Sequence, residues 1–147
     1  ASLADAKKIW NMQKEAFAEL FEKYQDFETS PAAEPLEKTI FRLKQPETYF
    51  YMIQLDKQTV GAVRVVDSGN NNRKRISPIF ILPKFRNMGI AQKAIILAEK
   101  IHGSKNWELD TIIQEKGNCH LYEKMGYRTT GKTKIINDKL TLVFYQK

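Results

Sequence analysis

The sequence predicts a single α+β domain whose elements follow the order ααβββαβαββ. Two observations predict this class. Apolar residues recur at helical spacing in four segments, while six other segments are rich in β-branched and aromatic residues. The chain has 147 residues, which is the size of one ordinary domain with a proper core, and no repeat, linker or low-complexity tract divides it.

The first two elements are predicted helices. Apolar residues between Ala4 and Tyr24 form a helical stripe, and Ser2 or Asp5 could cap its start. A second helix is predicted from Ala32 to Lys44, and Pro46 ends it. The residues predicted to face inward are Ile9, Met12, Ala16, Phe17, Leu20, Phe21 and Tyr24 in the first helix and Leu36, Ile40, Phe41 and Leu43 in the second.

The pattern changes after Pro46 to three predicted strands. Thr48–Leu55 and Thr59–Val66 are rich in β-branched and aromatic residues and flank a short turn, which predicts a hairpin. Arg75–Leu82 is the third strand, and Pro78 within it predicts an irregular start or a bulge.

The second half of the chain alternates helix and strand before a closing pair of strands. Gly103 ends the third helix, whose residues Ile90, Ala94, Leu97, Ala98 and Ile101 are predicted to face inward. The predicted elements are a helix at Ile90–Ile101, a strand at Trp107–Ile113, a short helix at Asn118–Met125 and strands at Tyr127–Thr130 and Leu140–Tyr145, with a turn at Ile135–Asp138.

Composition and charge narrow the function classes. The single cysteine, Cys119, excludes an internal disulfide and fits a reducing cytoplasm. No apolar stretch approaches the roughly 20 residues that span a bilayer, and no signal pattern opens the sequence. The net charge of +7 invites a nucleic-acid interpretation, but the lysines are scattered and Arg73–Arg75, after the predicted turn Asn70–Asn72, is the only run. A solvated basic surface, also favourable to an anionic cofactor, is the preferred interpretation.

Residues Arg86–Ala91 are the most informative segment. An apolar strand ends before them and an amphipathic helix begins at Ile90. The first N–H groups of a helix have no internal partners, and the helix dipole favours negative charge there. Gly89 places no side chain between a ligand and the backbone, and Arg86 adds a planar cation. The loop is therefore predicted to bind an anion such as pyrophosphate.

Two blocks together carry a family resemblance. The pattern Arg-x-x-Gly-x-Ala at Arg86–Ala91 resembles the (Gln/Arg)-x-x-Gly-x-(Gly/Ala) loop of the GNAT superfamily of N-acetyltransferases. The block Gly117–Tyr127 looks like the family's Asn-x-x-x-x-Tyr-type signature with its Leu-Tyr-Glu-Lys-x-Gly-(Phe/Tyr) ending. Asn118 and Tyr122 within it are four residues apart and would project from one helix face. The resemblance is specific from about Thr59 to Lys147.

The resemblance implies the GNAT acyl-CoA N-acyltransferase fold: a central mixed, mostly antiparallel sheet flanked by about four helices. One domain would span residues 1–147, with the family's first strand missing or very short. It implies acetyl-CoA as cosubstrate, direct transfer to a primary amine in a ternary complex, and Tyr122 as the acid that protonates the leaving thiolate. A backbone N–H of Phe80 or Ile81 would polarise the thioester. The residues implied to bind the cosubstrate are Ile79, Phe80, Ile81, Arg86, Asn87, Met88, Gly89, Ile90, Ala91 and Asn118.

The sequence leaves the general base and the acceptor open. Histidine and cysteine are too few to predict a metal site, and the strand before the loop carries no acid. The acceptor is a small-molecule or peptide amine, and an acidic cluster hints at a cationic one, although solvated loop charges explain the cluster equally well. Candidate bases are Asp67, Glu37, Glu115 and His120, unless an amine of lowered pKa needs none; the acidic cluster comprises Asp26, Glu28, Glu34 and Glu37.

Two other function classes remain. A non-catalytic acyl-CoA-binding sensor or interaction domain of the same fold would explain the missing acid on the strand. A nucleic-acid binder is the weaker alternative, and it predicts salt-sensitive binding and no affinity for coenzyme A. Neither alternative carries a motif as specific as the two blocks. Exposed sheet edges allow a homodimer, which the sequence does not decide.

Overall fold

The computed structural model describes residues 1–25, 31–69 and 73–147, and within them the predicted element order is confirmed. The four helices are α1 (Ala6–Tyr24), α2 (Leu36–Lys44), α3 (Ile90–His102) and α4 (Lys116–Lys124). The six strands are β1 (Thr48–Leu55), β2 (Gln58–Val66), β3 (Lys74–Ile81), β4 (Trp107–Ile112), β5 (Arg128–Ile135) and β6 (Thr141–Gln146). Among the described residues, no helix has both the length and the apolar character needed to cross a membrane.

The strands form one mixed sheet in the order β1-β2-β3-β4-β6-β5. Among the strands of the described residues, only β3 and β4 are parallel neighbours, and the other four pairs are antiparallel. A parallel pair needs a crossover, which α3 supplies. The mixed, mostly antiparallel sheet predicted from the sequence is therefore confirmed.

Two hydrophobic clusters lie on opposite faces of the sheet. The cluster against α3 and α4 contains Val63, Val65, Ile76, Ile95, Ala98, Trp107, Leu109, Cys119, Tyr122, Tyr127, Val143 and Tyr145. The cluster against α1 contains Ile9, Met12, Ala16, Phe50, Ala62 and Phe80. The result is a three-layer arrangement in which successive residues of each strand alternate between the two faces.

The second helix is shorter than predicted and buries a different residue. Pro35 is extended (φ −75°, ψ 161°), so α2 begins at Leu36 rather than Ala32. Phe41, predicted to face inward, is 63% exposed, while Thr39 is buried. A small side chain at the buried position allows α2 to approach its neighbours closely.

The third helix ends at His102, one residue beyond its predicted end, and its buried face is rotated from the predicted one. Leu97 and Ile101, predicted to face inward, are 57% and 61% exposed. The helix packs on the sheet through Ala94, Ile95 and Ala98, which are buried. The neighbouring Glu99 is buried too, and Lys147 Nζ, 2.6 Å from its Oε1, compensates its charge.

The irregularity predicted from Pro78 is a bulge in β3. Val63 pairs with Ile79 and Val65 with Ile76, so Arg64 alone faces two residues of β3. Arg64 donates hydrogen bonds of 2.7 Å to the Ser77 carbonyl and 2.9 Å to Gln45 Oε1. Burial, followed by repulsion from neighbouring arginines, lowers the pKa of Arg64 to about 10.

The closing hairpin differs from its prediction in length. β5 extends to Ile135 rather than Thr130, with a register irregularity between Thr129 and Thr133. Since β5 is an edge strand with largely exposed residues, it lacks the apolar alternation that reveals strands. The predicted turn Asn70–Asn72 lies outside the described residues.

Candidate active site

A gap separates β3 from β4 toward their carboxyl ends. Their pairing is limited to Lys74 with Trp107 and Arg75 with Glu108. Beyond these pairs β3 runs on to Ile81 and β4 to Ile112 without further pairing to each other. Beyond Arg75 and Glu108, the facing edges of β3 and β4 are therefore not paired with each other.

The backbone of β3 turns alternate amides into this gap. Leu82 N–H donates to the Val60 carbonyl at 2.8 Å, so the groups of Leu82 and Phe80 face β2. Because neighbouring residues of a strand point their amides to opposite sides, those of Ile79 and Ile81 face the gap. Of the two residues predicted to polarise a thioester, Ile81 therefore has the suitable backbone orientation.

The loop Arg86–Ala91 follows β3 and leads into α3. Asn87 and Gly89 have positive φ angles of 64° and 73°. A Cβ at Gly89 would meet nothing within 4 Å, so the left-handed backbone rather than crowding accounts for the glycine. Arg86 to Gly89 are exposed, and the first N–H groups of α3 lack intrahelical partners. The loop thus offers accessible donors to an anion.

The side chain of Arg86 is engaged elsewhere. Its Nε donates to the Ile81 carbonyl at 3.3 Å, and its Nη2 donates to the Ala16 carbonyl. Glu19 Oε2 lies 3.8 Å from Nη1. The guanidinium therefore fastens the loop to β3 and α1, which leaves the backbone amides of the loop as its groups accessible to an anion.

The fourth helix begins before its predicted start. Its N-cap position is Glu115, whose carbonyl accepts from Asn118 and Cys119 N–H at 3.1 and 3.3 Å. Asn118 is the third residue of α4 and is exposed, so the prediction that it opens the helix is wrong. A role for Asn118 in cosubstrate binding stays a prediction.

Tyr122 is buried on α4 beneath β4 and β6. Its ring centroid lies 6.1 Å from that of Tyr127 and 6.3 Å from that of Tyr145. Burial, followed by the negative charge of Asp110, raises the pKa of Tyr122 to about 12. The phenol therefore stays protonated at neutral pH and is a hydrogen-bond donor.

The four residues predicted as candidate general bases lie away from the gap, form hydrogen bonds with other side chains, or are exposed. Asp67 Oδ2 lies 2.8 Å from His102 Nδ1 at the amino end of β3, opposite the open end of the gap. Glu115 Oε2 accepts from Tyr24 O–H at 2.5 Å and from Lys23 Nζ at 3.0 Å. The other two, Glu37 on α2 and His120 on α4, are exposed.

Asp110 is the acid that sequence reasoning missed. It lies on β4, and its Oδ2 is 2.5 Å from Nη2 of Arg75. Arg75 belongs to the last pair joining β3 to β4, so this salt bridge crosses the apex of the gap. The sequence offered one signal for it, because its carboxylate lies within the predicted strand Trp107–Ile113.

Of the predicted acidic cluster, Glu34 is engaged in hydrogen bonds and Glu37 is exposed. Glu34 accepts two hydrogen bonds from Arg42, at 2.7 and 2.9 Å, and one from Gln13 at 3.1 Å. It therefore holds the segment before α2 against α1. Asp26 and Glu28 lie outside the described residues. Within the described ranges, no group of three histidine, cysteine or acidic side chains could hold a metal ion.

Comparison with known proteins identifies the family. The profile of the Acetyltransferase (GNAT) family matches residues 7–127, which contain the gap, the loop Arg86–Ala91 and α4. The chain belongs to the GNAT family of acetyltransferases. A search of curated protein sequences finds no match.

Solved GNAT structures share the fold at low sequence identity. PaiA N-acetyltransferase from Thermoplasma acidophilum, in complex with coenzyme A, is 14% identical with a TM-score of 0.72 over 100% of this chain and 96% of that one. The ribosomal-protein-S18-alanine N-acetyltransferase from Escherichia coli is 8% identical with a TM-score of 0.74 over 97% and 86%. A Bacillus anthracis protein in complex with acetyl coenzyme A is 20% identical with a TM-score of 0.60 over 71% of this chain and 64% of its own.

Proposed function

We propose that this GNAT protein transfers the acetyl group of acetyl-CoA directly to a primary amine of a small molecule or peptide. The observation that carries the proposal is the gap between β3 and β4, which opens beside the exposed amides of the loop Arg86–Ala91. Unpaired strand edges suit an extended amide-containing arm, and a helix N-terminus suits its pyrophosphate.

The chain's own groups meet the needs of acyl transfer. The N–H of Ile81 faces the gap and is the proposed donor to the thioester oxygen, where charge develops as the amine nitrogen bonds to the carbonyl carbon. A single donor of this kind is worth about 10²–10³ in rate. The C–S bond breaks, and Tyr122 donates a hydrogen bond or its proton to the departing sulfur. Asn118 is retained as a proposed contact of the cosubstrate arm.

Asp110 is the proposed acceptor of the proton that the amine loses. Its carboxylate lies at the apex of the gap, and Arg75 orients it. The absent acid on the strand before the loop was the main support for a non-catalytic sensor, and Asp110 on the neighbouring strand weakens that alternative. A cytoplasmic location and a homodimer stay predictions.

The test begins with calorimetric titration of acetyl-CoA. Met88→Glu places a carboxylate on the loop at a residue that is 54% exposed, and Ile135→Glu makes the same change on exposed β5. We expect Met88→Glu to weaken binding at least about tenfold, or 1.4 kcal/mol, and Ile135→Glu to leave it unchanged. Equal effects would show that the loop has been misassigned.

Thiol release from acetyl-CoA across a panel of primary amines then tests transfer. Amine-dependent release with matching N-acetyl product supports the enzyme. Tight acetyl-CoA binding without turnover for any amine would favour the acyl-CoA sensor instead.

A further inference from the structure

The face of β4 and β6 opposite α3 and α4 carries three apolar side chains that belong to neither hydrophobic cluster. We call Ile112, Leu142 and Phe144 the apolar platform. Their strand neighbours Leu109, Val143 and Tyr145 point into the cluster against α3 and α4, so alternation turns the platform to the other face. All three platform residues are only partly buried, and Ile112 pairs directly with Leu142 across the two strands.

The platform adjoins the proposed reaction site. Phe144 pairs directly with Asp110, whose carboxylate lies at the apex of the gap, and β4 itself forms one border of the gap. At the other end, Tyr24 donates to Glu115 at 2.5 Å, and Asn137 Nδ2 donates to the Tyr24 carbonyl at 2.9 Å. These contacts join α1, α4 and the β5–β6 hairpin into a wall beyond Ile112.

The charges around the platform suit one ammonium group rather than several. Asp110 is the carboxylate next to Phe144, and it is shared with Arg75. Toward Leu142 and Ile112, the nearby described acid Glu115 is already paired with Lys23. Glu108, on the same face of β4, lies on the far side of Asp110, opposite Gln146. A polyamine would leave its additional charges over Phe144 and Leu142 without counter-ions, which is unfavourable.

We propose that the acceptor is a monoamine whose amino group lies near Asp110 and whose aromatic or branched aliphatic group packs on the apolar platform. This inference rests on the proposed transfer function and specifies its substrate class. Phe144 is then a specificity-determining residue: it contacts the acceptor's apolar group and takes no part in bond making. The apolar monoamine is expected to bind more tightly because its apolar group becomes buried on the platform. Ethanolamine has no such group, and spermidine would bring additional charges there.

Amine binding is measured by calorimetry on the protein saturated with coenzyme A, which cannot acetylate the probe. We expect phenethylamine to bind at least tenfold more tightly than ethanolamine or spermidine. Phe144→Ala should remove most of that difference, and Leu142→Ala should reduce it. The matched control Leu97→Ala truncates an exposed side chain on α3 and should change nothing; thermal melting confirms that each variant is folded.

Several outcomes would overturn the inference. These are tighter binding of ethanolamine or spermidine, no binding of any amine, or a preference for phenethylamine that survives both platform variants. Thiol release separates this failure from that of the proposed function. Acetylation without preference for apolar amines would support the proposed function and contradict the platform's role. Binding of apolar amines without acetylation would support the platform as a binding surface and contradict the proposed function.

Discussion

Replacing Gly61 with alanine should force β2 and β3 apart beside the gap. A Cβ at Gly61 would lie 2.1 Å from the Phe80 carbonyl oxygen and 3.1 Å from Ile81 Cα. Both are backbone atoms, so no side chain can rotate away. Restoring an ordinary contact requires a backbone displacement of roughly an ångström in a well-packed sheet.

The size of the effect follows from this geometry. Overpacking a well-packed interior costs about 1–3 kcal/mol, and weakening one ladder hydrogen bond adds about 1 kcal/mol. For a chain of this length, a loss of about 2–4 kcal/mol lowers Tm by roughly 5–15 °C. The displaced segment carries the amides of Ile79 and Ile81, so the affinity for acetyl-CoA should also fall.

Thermal unfolding followed by circular dichroism, with calorimetric titration of acetyl-CoA, measures both effects. Gly117→Ala is the matched control, because a Cβ there meets nothing within 4 Å and the residue lies in α4. Alanine in a helix is favoured over glycine by about 0.5–1 kcal/mol. The two substitutions should therefore shift Tm in opposite directions. A Gly61→Ala protein as stable as the wild type would refute the close approach of β2 and β3.

Three further predictions concern side chains. Tyr122→Phe should lower kcat about 10²–10⁴-fold with unchanged acetyl-CoA affinity, and unchanged turnover would remove the acid role. Because burial raises the pKa of Tyr122 from 10.0 to about 12, its contribution to stability is complete below pH 10. The free energy of unfolding then falls by about 3 kcal/mol as the pH rises through 12. Urea titrations should therefore show a smaller loss of stability for Tyr122→Phe than for the wild type over this range. Glu34→Ala should cost about 3–5 kcal/mol by leaving Arg42 unpaired, whereas Glu37→Ala on the exposed face of α2 should stay within about 0.5 kcal/mol; equal urea midpoints would contradict this.

The predictable parts of the fold are those governed by local pattern. The hairpin of β1 and β2 follows from β-branched and aromatic runs, and the end of α3 follows from Gly103. The loop Arg86–Ala91 could be located because the change from strand to helix is local. Gly89 in this loop has a positive φ angle of 73°, a conformation that glycine favours and that the residue type itself therefore indicates.

The unpredicted parts depend on tertiary contacts between distant residues. Ala94 and Ala98 are buried as predicted, but Leu97 and Ile101 of the same predicted stripe are exposed and Ile95 is buried instead, because the packing of α3 on the sheet decides which side of the stripe is covered. The fixed position of Arg86 depends on the Ala16 carbonyl, 70 residues away. No local pattern encodes either arrangement.

Asp110 illustrates the same limit at the candidate site. Its proximity to the gap requires knowing that β4 is the parallel neighbour of β3 and that their pairing stops at Arg75. Sequence spacing gives neither fact. The acid could be seen in the sequence, but its place at the apex of the gap could not.

Pro78 accounts for the gap in physical terms. The bulge at Ser77 and Pro78 follows closely on Arg75, the last residue of β3 paired with β4. A bulge bends its strand and increases the local twist, which turns the carboxyl half of β3 away from β4. Amide hydrogen exchange checks this account. Ile79 and Ile81 should exchange faster than Phe80, which faces β2, and equal protection of all three would show that β4 continues to pair with β3 in solution.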